Sequence, residues 1–181
     1  MVDLHQTESG LPPEHPWLAL SRWGIVWRAA LGAIVAGLCV LLVITLLIGT
    51  TMPEITLNLV WFGVPQLLVM IATAAVLGPW LREFHPFLQS LMFSSIALAA
   101  VFALVILVEV VNRVIGPSPW GAGLFMVLCF ASLPYFLTGA IGYGLAIWSV
   151  TPRGRRAFWP LLVGVLLLFV GSWLVAQLAA G

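Results

Sequence analysis

Between Phe87 and Val111 run 25 residues with a single charged side chain, Glu109. As a helix rising 1.5 Å per residue, this stretch is roughly 37 Å long, enough to cross a hydrocarbon layer of about 30 Å with some tilt. Lipid offers no partner to backbone N–H and C=O groups, so a run of this kind commits the chain to helices. Similar apolar runs recur through the chain and place five spans near 29–49, 59–81, 87–111, 122–150 and 158–178. The expected fold is all-α, a polytopic integral membrane helical bundle of five transmembrane helices.

The chain is 62% hydrophobic and 7% charged, whereas about a quarter of the residues in a soluble domain are charged. With the apolar runs spread over the whole length, no stretch is left for a soluble catalytic domain. The net charge of +1 and the scattering of the seven arginines exclude an electrostatic footprint for nucleic acid. No CxxC, CxxCH or HExxH spacing occurs, and no second histidine stands inside a span to face His85, so neither a metal nor any other cofactor is expected. Cys39 and Cys129 lie in apolar runs and read as small hydrophobes. Ser94, Ser95, Ser132 and Ser172 have no His or Asp beside them in any span, and without such a partner a serine is a poor nucleophile. The chain is therefore not expected to be an enzyme.

Residues 1–16 are polar, contain Asp3, Glu8 and Glu14, and read as a tail. Residues 17–28 place Trp17, Leu20, Trp23 and Trp27 at helical spacing beside Arg22 and Arg28, which predicts an interfacial amphipathic segment in the headgroup layer. Residues 29–181 form the membrane domain. Within it, Ala29, Ala33 and Gly37 repeat four apart, as do Ser95, Ala99 and Ala103, and small residues at that spacing let another helix approach closely. Pro65 with Gln66 interrupts the second run. Pro134 interrupts the fourth, followed by Thr138, Gly139, Gly142, Tyr143 and Gly144. Irregular backbone at membrane depth needs cover from protein, which predicts a central place for the fourth helix.

With five spans and a cytoplasmic amino terminus, the inner segments hold Arg22, Arg28, Arg82, Arg153, Arg155 and Arg156, and the outer ones hold Arg113 alone. Six against one obeys the positive-inside rule, so the carboxyl terminus is expected outside, in a multi-pass protein of the bacterial inner membrane.

Two groups carry the remaining polarity. On the outer side Glu109, Asn112 and Arg113 share a helical face, and Glu54 and Asn58 approach from the first connection; together they make a candidate solute-binding site, or else a Glu109–Arg113 pair closes the helix end. On the inner side Arg82, Arg153, Arg155 and Arg156 suit anionic lipid headgroups. The scarcity of loops and of deep polar residues, with more small-residue faces than one bundle needs, favours a non-catalytic accessory subunit. Such a subunit packs in the lipid bilayer against other membrane protein subunits and supports a larger membrane complex. The alternative is transport: a small-solute transporter, or its solute-binding membrane component, built on the outer cluster.

Overall fold

The computed structural model describes residues 11, 14–48, 63–115 and 123–180. Five helices follow one another: α1 Arg22–Ile48, α2 Val64–Leu81, α3 Pro86–Ile115, α4 Gly123–Ser149 and α5 Pro152–Ala180. The described residues contain no strand. Four helices, α1, α2, α3 and α5, are long and apolar enough to cross a membrane, which makes the chain a multi-pass integral membrane protein in contact with lipid.

Three helix starts are written locally. The Gly24 N–H donates to Ser21 Oγ at 3.1 Å at the head of α1, and the Gly154 N–H donates to Thr151 Oγ1 at 3.0 Å at the head of α5. At α3 the Phe87 N–H donates to His85 Nδ1 at 3.4 Å. Each cap satisfies one amide that the first turn leaves without an intrahelical partner. Pro86 and Pro152 open α3 and α5, at the position where proline's missing N–H costs nothing.

Two boundaries differ from expectation. α1 begins at Arg22 and takes Trp23, Trp27 and Arg28 into the first span, and α5 begins six residues before Phe158, taking in Arg153, Arg155 and Arg156. Long basic and aromatic side chains reach the interface from a helix that is already spanning, so their presence does not require a separate segment. Pro65 stands in the first turn of described α2, while Pro134 is interior to α4.

α4 packs against α1, α3 and α5, and α2 packs against α1 and α3. The tightest seam joins α1 to α4. A β-carbon added at Gly32 would lie 2.1 Å from the Gly142 carbonyl oxygen, and one at Gly142 would lie 2.8 Å from Ala33 Cα. Ala29, Ala33 and Ala36 are buried on the same side of α1, and Gly37 faces the Thr138 methyl. The stripe through Ala29 and Ala33 thus meets a neighbour inside the protein.

The second stripe does not. Ser95, Ala99 and Ala103 are exposed, and α3 turns Ser90, Phe93, Ser94, Ala97, Val101 and Val105 inward instead. The polar members of that face explain the choice: Ser94 Oγ donates to the Phe136 carbonyl of α4, a bond lipid cannot replace. From α2, Gln66 Nε2 donates to the Tyr135 carbonyl at 3.2 Å. Two neighbours therefore grip consecutive carbonyls of α4 just past Pro134. Cys39 and Cys129 are free and exposed.

The main core joins residues of α1, α2, α3 and α4 at the end of the bundle that carries most of the arginines. Toward the other end, Leu104, Ile106, Leu107, Val108, Val110 and Val111 of α3 are all exposed. Only 11% of the apolar stretch of α5 is buried, against 44% for α1, so α5 lies at the periphery.

Candidate functional site

The outer group is only partly within the described residues, since Glu54 and Asn58 lie outside them. Glu109 and Asn112 are half-buried and Arg113 is exposed near the end of α3. Among the described residues no ion pair joins Glu109 to Arg113. The pair expected to close this helix end is therefore not made.

The arginines of the inner group divide. Arg153, Arg155 and Arg156 are exposed on the opening turns of α5. Cations there oppose the positive end of the helix macrodipole, so this placement does nothing for the helix and leaves them to whatever anion meets the surface. Arg155 also donates to the Val150 carbonyl at 3.3 Å, and its charge acts on Arg28, which lies 4.4 Å from the Trp27 ring centroid.

Arg82 has a different role. Its Nη1 donates to the carbonyls of Leu18 and Leu20, both at 2.9 Å. The guanidinium at the end of α2 thereby holds the segment that precedes α1 across the arginine-rich end of the bundle.

That segment, residues 14–20, is a strap whose central side chain is Trp17. Trp17 is 0% exposed. Its indole Nε1 donates to Gln89 Oε1 at 3.2 Å, and Gln89 Nε2 donates in turn to the Phe84 carbonyl at 2.7 Å, tying the strap to the turn between α2 and α3. Tyr143 of α4 stands edge-on to the indole with centroids 5.6 Å apart, and its other side stacks on Phe93 at 4.4 Å. The Tyr143 hydroxyl is buried and has no hydrogen-bond partner among the described residues. Stranding such a group costs about 1–3 kcal/mol.

Trp17, Gln89, Phe93 and Tyr143 form a polar and aromatic cluster that sequence reasoning did not bring together. The spacing of Trp17, Trp23 and Trp27 matches one helix face, yet the turn at 16–19 and the Ser21 cap separate Trp17 from α1. The usable signal was Gln89, an amide in an apolar run, which needs a partner wherever it is buried.

Among the described residues no three His, Cys, Asp or Glu side chains gather in a way that would hold a metal ion. Set against known proteins, no family model, no curated protein and no solved structure matches this chain.

Proposed function

We propose that this chain is a small non-catalytic membrane subunit that packs against and supports a larger membrane protein complex. The observation that carries this reading is the state of two glycines on α5. Gly164 and Gly171 have no atom within 4 Å of where a β-carbon would stand, whereas Gly32, Gly139, Gly142 and Gly154 are each crowded by close contacts. Glycine inside a helix costs up to about 1 kcal/mol relative to alanine. At Gly32 and Gly142 close helix approach offsets that cost; at Gly164 and Gly171 nothing among the described residues does. Exposed Ala157 stands seven residues before Gly164, as Gly164 does before Gly171, so the three share one open face. Ser95, Ala99 and Ala103 make a second such face on α3.

The test is mild-detergent extraction of the tagged chain, followed by quantitative mass spectrometry of what accompanies it. Leucine at both Gly164 and Gly171 is expected to leave the melting temperature of the isolated chain no lower than that of wild type, since the added side chains enter open space and the helix loses two glycines. The same variant is expected to lose its stoichiometric partners. A wild-type chain that purifies alone, or a partner set indifferent to the double variant, would defeat the reading.

In the membrane we place α4 as the fifth span, amino terminus in the cytoplasm and carboxyl terminus outside. α4 has 27 residues and runs antiparallel to α1, Gly142 facing Gly32 and Thr138 facing Gly37. The six-to-one arginine count supplies the orientation. A reporter fused after Gly181 is expected to be active on the outside, and one inserted after Thr151 on the inside. Activity of both on the same side would remove a span from this arrangement.

A further inference from the structure

We propose that the slot filled by Trp17 is a ligand site for a planar phenolic or quinol-type ring carrying both a hydroxyl donor and an oxygen acceptor, and that Trp17 is its tethered occupant. This goes beyond the subunit reading, which rests on the outward faces of α3 and α5 and stands or falls separately.

The argument is one of unmatched chemistry. The slot has an aromatic wall, Tyr143 stacked on Phe93, and an amide whose orientation is set because Gln89 Nε2 is used on the Phe84 carbonyl. Gln89 Oε1 is thereby left as an acceptor, and the indole N–H answers it. An indole can only donate, however. The Tyr143 hydroxyl, on the ring that meets the indole edge-on, is fully buried and finds no partner among the described residues. A phenylalanine at this position would keep the ring contacts with Trp17 and Phe93 without stranding a hydroxyl. Tyrosine becomes the better residue only when the ring in the slot brings an acceptor for its O–H. A flat ring bearing a hydroxyl and a second oxygen satisfies Gln89 and Tyr143 together.

Trp17 is also placed to leave. It belongs to a strap outside the helices, whose other ties are the Leu18 and Leu20 carbonyls on Arg82, bonds that water can replace once the strap lifts, and the packing of half-buried Leu20 against the core. The ring that enters and the indole that departs are similar in size and polarity, so the exchange exposes little apolar surface on the slot itself.

The experiment uses the full chain in lipid nanodiscs under anaerobic, reducing conditions, with methylhydroquinone and its decyl-tailed counterpart as probes and toluene as a ring without polar atoms. Hydrogen exchange at the Leu18 and Leu20 amides, which now donate to the His15 and Trp17 carbonyls, reports whether the strap is seated. Saturating hydroquinone is expected to speed that exchange by about tenfold or more, and toluene to leave it unchanged. Tyr143→Phe is expected to bind the hydroquinone about tenfold more weakly, as the loss of one buried hydrogen bond predicts. Trp17→Ala, freed of its competitor, is expected to bind it more tightly than wild type; where that variant does not fold, the wild-type exchange decides alone. Tighter binding of the tailed probe assigns the ligand to the bilayer and equal binding assigns it to solution, and both uphold the slot. Strap exchange indifferent to both hydroquinones, toluene acting as well as they do, or Tyr143→Phe binding like wild type would each overturn it.

Discussion

Alanine at Gly32 is expected to be among the most damaging single methyl additions to this protein. The new β-carbon would stand 2.1 Å from the Gly142 carbonyl oxygen, a backbone atom that cannot rotate away, so α1 and α4 would have to separate. Overpacking usually costs 1–3 kcal/mol, and a clash with backbone belongs at or above the upper end, on the order of 3 kcal/mol. Separation would also loosen Ala29, Ala33 and Ala146, all buried in the main core, and hence the contacts on both sides of the seam. Gly142→Ala is expected to be nearly as harmful, its β-carbon falling 2.8 Å from both the N and the Cα of Ala33. The controls are Gly37→Ala, where the nearest atom is the Thr138 methyl at 3.4 Å, and Gly164→Ala, which meets nothing. Thermal or denaturant unfolding in one detergent should rank Gly32 and Gly142 far below these two. A Gly32→Ala variant as stable as Gly164→Ala would mean that α1 and α4 do not approach as described.

Trp17→Ala is expected to cost about 3–5 kcal/mol, the range for emptying a buried aromatic site. The indole is wholly buried, and its loss also leaves Gln89 Oε1 without its donor. Trp23→Ala is the matched control, because Trp23 is 74% exposed and the same truncation there removes few protein contacts. Its effect is expected to stay below about 1 kcal/mol, as for exposed positions generally. If the two variants unfold together, the strap does not hold the bundle.

The five helices were legible because lipid demands that backbone groups be satisfied within each segment, although α1 and α5 begin earlier than their apolar runs suggest, at the Ser21 and Thr151 caps. The seam through Ala29 and Ala33 was legible for a related reason: small residues four apart make a groove whatever comes to fill it. The same rule marks Ser95, Ala99 and Ala103, which are exposed on α3. A groove on one helix does not say whether its partner belongs to the same chain. Of the candidate site residues, Glu109, Asn112 and Arg113 lie in α3 at a spacing that shares one face, but spacing alone does not decide whether Glu109 and Arg113 pair.

What the sequence determined by itself is that this chain is helical, crosses a membrane more than once, and collects its positive charge at one end. Each of these follows from solvation, which is a property of residues taken singly or in short runs. What only the tertiary structure decided is which face of each helix turns inward, that Arg82 holds backbone carbonyls of the strap, and that Trp17 lies in the core against Gln89 and Tyr143. In a soluble helix, polar residues mark the outward face. A span is apolar all round, so periodicity carries no such mark, and the inward face is chosen by close packing and by buried hydrogen bonds between residues distant in the chain.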